Sequence, residues 1–567
     1  MRAGLAGFDV RLEARLTDRL AGFDARFDAR VADRLAAETA PALAVGVFRG
    51  GTLTATALHG TIESESGSGG VGDGRFVDGG RGSAGRTPQA DTAFRIASCT
   101  KSFTAAAVLI LRDRGMLDLD SGVAEHLPYL RLLGPGEDMS SGPLTLRMLL
   151  TMSGGLPADD PWADRLESMS FAGLQALLGA GVRLVRTPGT AYEYSNLGYA
   201  MLGAVISAVS GREYTDFVRA ELLAPLGLRS TGFDAGVPAA GGVARGYCRR
   251  GSAWEVQPFS TPGAFSAIGG LFSTLADLGR WAEWLADGFT GGGEAAGQPL
   301  NRASRREMQQ LHRVAGPETL EPAGADGGDT GQPAGTGVGG YGFGLRILED
   351  PRRGLIVGHS GGYPGFSSHM TWHPASRTAV IGFENASYAK VGALVRGVLA
   401  DALQAPFGTA PGNVPGTAAG TVPGASAQNV AGTVPGRAAG VVPWAEVLAA
   451  RAVVERLVLS WHDELGRSIF AGNVELDEPL ADRRRRLEEA LADAGPLQRV
   501  PRDAGFSATA ARLEWLMPGT RGALKCALSM TPEAHPRVQE LSFAFAPSSA
   551  APEPGGAAAS AVAPASA

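Results

Sequence analysis

Apolar positions recur every three to four residues at the start of the chain, at Leu12, Leu16, Leu20, Phe23, Phe27 and Val31. That spacing predicts an amphipathic helix within residues 1–40, with an apolar stripe packed on the body of the protein. Ala44–Arg49 and Leu53–Ala57, joined at Gly50-Gly51, read as a β-hairpin. Phe94–Ala97 reads as a short extended lead into an apolar run, Ser102–Leu111, too uniform for a surface helix and therefore a buried one. From 102 to 315 helical patterns alternate with loops. Strands are predicted at 341–348, 354–359, 366–373 and 378–385, the last two joined at Pro374–Arg377, before a closing helix at 389–404. Two Gly-rich stretches, 61–90 and 321–340, read as surface insertions.

Composition then divides the chain. Residues 407–443 repeat Val-Pro-Gly at Val414, Val422 and Val434 and bury too little apolar surface to order themselves, which predicts a linker. The expected organisation is a helical arm at 1–40, a main domain at 41–406, a smaller α+β domain at 444–548 and a disordered tail at 549–567. The fold class expected is α+β: an antiparallel sheet flanked by helices, with a mostly helical subdomain.

With 567 residues, 44% hydrophobic, the chain has enough material for a substantial core, and a net charge of −6 argues against a nucleic-acid partner. Arg483–Arg486, followed by Glu488 and Glu489, reads as a solvated helix face with i,i+4 pairs. Three widely separated cysteines favour neither disulfides nor a zinc cluster. The N-terminal residues lack a continuous apolar core of signal-peptide length, and no run of about 18 apolar residues occurs, so a cytoplasmic protein without a membrane partner is expected.

The chemistry concentrates at Ser98-Cys99-Thr100-Lys101. Residues three apart share a helix face, so the Lys101 amine reaches the Ser98 hydroxyl. A lysine in a dry pocket loses its charge readily and can take the serine proton. Lysine is otherwise scarce: Lys101, Lys390 and Lys525 are the only three. Further along come Tyr194-Ser195-Asn196 and His359-Ser360-Gly361-Gly362.

A Ser-x-x-Lys, then Tyr-x-Asn, then Lys/His-x-Gly, in that order, resembles the penicillin-recognising serine hydrolases, and specifically their class C β-lactamase-like branch of DD-peptidases, D-aminopeptidases and esterases. The flanks Leu144–Leu156, Ile268–Leu278 and Tyr341–Leu345 also have counterparts there, and the resemblance covers about residues 40–405. Met152 departs from it, since relatives often carry histidine at that place.

The resemblance implies a β-lactamase/transpeptidase-like fold and assigns roles. Ser98 attacks a carbonyl carbon, Lys101 takes or relays its proton, and Tyr194 is a second proton carrier needing Lys101 nearby to ionise near neutral pH. Asn196 holds Lys101 and a substrate amide. His359, Ser360, Gly361 and Gly362 line the cleft on an edge-facing strand. The Ser98 and Gly362 N–H groups form the oxyanion pair, each donor worth about 10²–10³ in rate. Neither a metal nor an organic cofactor is implied.

Two rival readings of the same residues fail. Gly358–Gly362 fits a nucleophile elbow around Ser360, but Pro364 and Gly365 forbid the helix that must follow. His369 and His373 lack a third metal ligand. The expected function is a serine hydrolase acting on amides or esters of small molecules or short, D-amino-acid peptides. The alternatives are a β-lactamase or DD-carboxypeptidase, and a penicillin-binding sensor that acylates without turnover and uses the C-terminal domain as output. Self-association is the one macromolecular contact left open.

Overall fold

The computed structural model describes residues 22–63, the backbone of 75–77, and 85–134, 143–291, 296–320, 335–404, 441–498 and 505–547. These residues form two compact units, divided near Gly436. The expected helix positions before residue 22, nearly all of the 407–443 linker and the 549–567 tail lie outside the described residues.

The first unit is built on an eight-stranded antiparallel sheet. Its strands are β1 (Ala42–Arg49), β2 (Thr52–Gly60), β3 (Arg313–Thr319), β4 (Thr336–Tyr341), β5 (Arg346–Asp350), β6 (Gly354–Tyr363), β7 (Phe366–His373) and β8 (Thr378–Glu384). They run in the order β3-β4-β5-β6-β7-β8-β1-β2. The helices that matter for the site are α1 (22–36), α2 (Thr100–Asp113), α3 (Asn196–Ser210), α4 (Leu275–Ala286) and α5 (Gly392–Ala402). This is the α+β architecture expected.

One face of the sheet carries α1 and α5. Phe23, Phe27 and Val31 of α1 share a core with Val45, Val47 and Val380 of the sheet and Val395 and Val398 of α5. The apolar stripe read from the sequence is therefore the docking face of α1. Its polar side is also fixed: Arg34 donates two hydrogen bonds to Glu384, at 2.8 and 2.6 Å, and Glu384 is 1% exposed. Arg34→Ala leaves that carboxylate buried with Thr39 as its remaining side-chain partner. The expected loss is about 3 kcal/mol, read from the urea midpoint. A loss below about 1 kcal/mol would show that water replaces the guanidinium.

The opposite face packs on α4, and α2 lies between α4 and the helical part that includes α3. Residues Thr100–Leu111 of α2 are all buried, so it is the central helix the uniform apolar run predicted. Phe103 stacks on Trp281 of α4 with centroids 3.9 Å apart, and the Trp281 indole donates to Ser102 Oγ at 3.0 Å.

Four expected boundaries are corrected. The strand read at 341–348 is two strands: Tyr341 ends β4 and Arg346 begins β5. Gly342-Phe343-Gly344 turns the chain onto α2, where a Cβ on Gly344 (φ +70°) would sit 2.4 Å from the Lys101 carbonyl oxygen. The second Gly-rich stretch accordingly gives its last residues to β4. β6 continues through the third motif to Tyr363, because Pro364-Gly365 makes a two-residue turn into β7. The closing helix starts at Gly392, after left-handed Tyr388 (φ +52°) and Lys390 (φ +63°).

The second unit holds α6 (Ala445–Leu459), α7 (Leu480–Ala494) and an antiparallel sheet of β9 (Arg512–Pro518), β10 (Gly522–Met530) and β11 (Val538–Pro547). On α7, Arg484 and Arg485 pair with Glu488 and Glu489 as the spacing predicted. Arg483 departs from that face: it is 7% exposed and donates to the Leu541 carbonyl of β11.

Candidate active site

The turn that carries Ser98 is assembled from three short pieces. Phe94–Arg95 pairs with Phe272–Ser273, Ala97–Cys99 makes one tight turn, and α2 follows. Ala97 has φ +47°, a left-handed backbone that residues with a Cβ avoid. The turn sets Ser98 Oγ 2.9 Å from Lys101 Nζ. Lys101 also donates to the Ile268 carbonyl at 2.8 Å and is fully buried. Burial pushes its pKa down to about 8, against the opposing pull of Asp160, Asp164 and Asp159. Cys99 points elsewhere: its thiol donates to the His359 carbonyl at 3.3 Å, and burial pushes it up to about 12.

The second motif sits at the mouth of α3. The Tyr194 ring centroid lies 5.1 Å from Lys101 Nζ. Burial first, and then the charge of Asp160, hold this phenol well above its usual pKa. The resting group is therefore a neutral phenol, a change from the phenolate that proximity to Lys101 led us to expect. Asn196 also differs from expectation. Its side-chain amide donates to Asp160 Oδ1 at 2.6 Å rather than holding Lys101, and its buried Oδ1 has no hydrogen-bond partner.

Sequence reasoning missed Asp159. It accepts the Asn196 and Leu197 N–H groups at 2.7 and 2.9 Å and the Ser195 hydroxyl at 3.2 Å, capping α3 from a distant loop. Burial raises its pKa to about 7. The departure at Met152 also gains a physical setting. Its Sδ accepts the Ser195 N–H at 3.4 Å and its carbonyl accepts the Glu193 N–H at 2.8 Å, from a left-handed backbone (φ +55°).

The third motif lies on an interior strand, not an edge strand. The expectation is corrected only in part, because β5 pairs with β6 from Gly354 to Gly358 and no further. From His359 to Tyr363 the strand is paired on its β7 side alone. Tyr363 and Phe366 close the two-residue turn as a hydrogen-bonded pair. Alternation then turns the Gly362 N–H away from β7, toward the open side. Gly361 is packed on the turn that carries Ser98: an added Cβ would meet Ile96 O at 2.4 Å.

His359 is buried at 3% exposure. Its Nδ1 lies 2.5 Å from the Ser360 carbonyl, which only accepts, so the proton is on Nδ1. Nε2 therefore accepts from the Tyr341 hydroxyl at 2.8 Å. Burial, and then the charge of Lys101, lower the imidazole pKa well below its usual value. His359 is neutral, so the third motif presents no cation. Tyr341 was visible only as part of a matching flank; its partnership with His359 needed the fold.

Ser360 faces the other way, bonded to His369 Nδ1 at 2.9 Å. With Gly362, Tyr388, Lys390 and Arg396 it lines a cavity of about 420 Å³ beside α5. Among the described residues no cluster of three or more His, Cys, Asp or Glu side chains is arranged to hold a metal ion.

The model of the family described as Beta-lactamase matches residues 27–404. Penicillin-binding protein 4* of Bacillus subtilis (strain 168) is 26% identical over 311 residues, 53% of this chain and 62% of its own length. Protein flp of Staphylococcus aureus is 30% identical over 200 residues, 34% of this chain and 38% of its own. The matches thus span less than two thirds of either relative. Among solved structures, the octameric penicillin-binding protein homologue from Pyrococcus abyssi aligns with 91% of this chain and 99% of its own, at TM-score 0.51 and 18% identity. A class C β-lactamase aligns with 69% of this chain and 98% of its own, at TM-score 0.50 and 16% identity.

Proposed function

The chain belongs to the β-lactamase family, and from that premise we propose that it is a serine hydrolase that cleaves amides or esters through an acyl-Ser98 intermediate. The observation that carries this reading is the 2.9 Å contact between Ser98 Oγ and a fully buried Lys101 amine. Neutral Lys101 takes the Ser98 proton as Oγ attacks the carbonyl carbon. The developing oxyanion takes the Ser98 and Gly362 N–H groups. Tyr194, a neutral phenol, then gives a proton to the leaving amine or alkoxide and regains one from the water that releases the acyl group.

Substrate class follows from charge. A neutral His359 gives a lactam carboxylate no cation at the position where β-lactamases usually carry lysine, which disfavours efficient β-lactam turnover. Exposed Lys390 and half-buried Arg396 instead line the cavity beside Ser360 and Gly362. Small molecules or short peptides, D-amino-acid peptides included, are the substrate class proposed. Self-association belongs to the proposal because the Pyrococcus abyssi homologue of similar fold is octameric. A cytoplasmic location belongs to it too; among the described residues no helix is long and apolar enough to cross a membrane.

The test is turnover of a short-chain nitrophenyl ester, a D-alanyl nitroanilide and a chromogenic cephalosporin by wild type and Ser98→Ala. Multiple turnovers of the ester or anilide, lost in Ser98→Ala, are expected. A single stoichiometric burst would instead identify a sensor, and activity surviving in Ser98→Ala would overturn the mechanism.

A further inference from the structure

We propose that Arg95, Glu167 and Tyr363 form a buried clamp that fixes the spacing between the Ser98 and Gly362 amides, a role that rests on the reading of Ser98 as nucleophile. Arg95 lies three residues before Ser98, and Tyr363 directly follows Gly362. Glu167, on a separate loop, is 0% exposed and Arg95 is 1% exposed. One carboxylate oxygen, Glu167 Oε2, accepts from Arg95 Nη1, from the Tyr363 hydroxyl at 3.0 Å and from Ser260 Oγ. The guanidinium carbon lies 4.6 Å from the Phe272 ring centroid and 4.7 Å from that of Tyr363. The same side chain thus holds the strand entering the nucleophile turn and the strand leaving the third motif.

Its other oxygen extends the hold to the general base. Ser266 Oγ donates to Glu167 Oε1 at 3.5 Å, and Ser266 opens the turn whose Ile268 carbonyl takes Lys101 Nζ at 2.8 Å. Gly269 of that turn fills the gap between the Tyr363 ring and Ala97; a Cβ there would lie 3.2 Å from Tyr363 and 3.4 Å from the Ala97 carbonyl carbon. Ala97 is the left-handed residue of the turn and persists only if both flanks are held. Helix α2 holds the downstream flank, and the Arg95–Glu167 pair holds the upstream one.

A buried ion pair adds little net stability over an apolar replacement of the same shape. What this one secures is position. Arg95, Glu167 and Tyr363 are therefore positioning residues, since none touches the reacting atoms.

The test follows covalent labelling by a fluorophosphonate, in which Ser98 Oγ attacks phosphorus and fluoride leaves, so no natural substrate is needed. Limiting rate and half-saturating concentration are measured for wild type, Ser98→Ala, Tyr363→Phe and Glu167→Gln, alongside thermal unfolding. The clamp predicts that both clamp variants keep a cooperative transition and a half-saturating concentration within about twofold of wild type. Their limiting rates fall roughly 10- to 100-fold, the range a displacement of about 1 Å produces. Tyr363→Phe keeps the ring and removes one hydroxyl, so it carries the test if Glu167→Gln fails to fold. Folded variants that label at the wild-type limiting rate, or losses that track only an unfolded fraction, would overturn the clamp. Labelling of Ser98→Ala, or none of wild type, would overturn the nucleophile reading and the clamp with it.

Discussion

Lys101→Ala is expected to slow acylation about 10²- to 10⁴-fold, the range for losing a positioned general base, and to erase the pH dependence of that step. The base must be neutral, and burial brings the Lys101 pKa down to about 8. The wild-type rate should therefore rise with pH and level off above that value, whereas the variant's residual rate should be flat across the same range. Stability gives an independent readout with a fixed sign. Between about 8 and the ordinary lysine value of 10.5 the unfolded chain holds a proton that the folded chain has lost, so wild-type stability rises with pH across this window. The difference between wild type and Lys101→Ala should carry that slope. A wild-type acylation rate unchanged from pH 6 to 9 would remove Lys101 from the role of base.

Gly361→Ala should also have a large effect, for a steric reason. The new Cβ would sit 2.2 Å from Ser368 Oγ, 2.4 Å from Ile96 O and 3.0 Å from the Ala97 Cβ. Ser368 cannot simply rotate away without giving up its 2.6 Å bond to that same Ile96 carbonyl. The strand must move off the nucleophile turn, which separates the Ser98 and Gly362 amides. We expect a stability loss of about 1–3 kcal/mol from overpacking, and an acylation loss of about 10²-fold as one oxyanion donor is withdrawn. Gly291→Ala is the control: a Cβ there has nothing within 4 Å, so both quantities should stay at wild type. Full acylation by a folded Gly361→Ala would show that the amide spacing tolerates the shift.

Much of the site was legible because its chemistry is written in short local spacings. Ser98 and Lys101 meet across three residues of one helix start, and the buried character of α2 follows from its uniform apolar run. The third motif was readable as a cleft strand because Gly361 and Gly362 leave space where a side chain would block approach. What escaped reading acts across long separations or depends on burial. Asp159 caps a helix 37 residues away, and nothing in the local pattern around Asp159-Asp160 marks it as a cap. Tyr341, Phe343 and Leu345 alternate like a strand, yet Gly344 breaks it by taking a conformation that the apolar pattern does not encode. The charge of His359 could not be read either: it depends on burial and on the proximity of Lys101. The same holds for Tyr194, whose neutral state reflects burial and the charge of Asp160.

The complete burial of Lys101 has a consequence for chemical labelling. Arginine supplies nearly all of this chain's positive charge, and lysine occurs at only three places. One is sealed beneath Ser98, and the other two, Lys390 and Lys525, are exposed. An amine-directed reagent applied to the folded protein thus meets two lysine side chains in the whole sequence, one of them on the rim of the cavity beside the third motif. The buried Lys101 amine stays untouched under the same conditions.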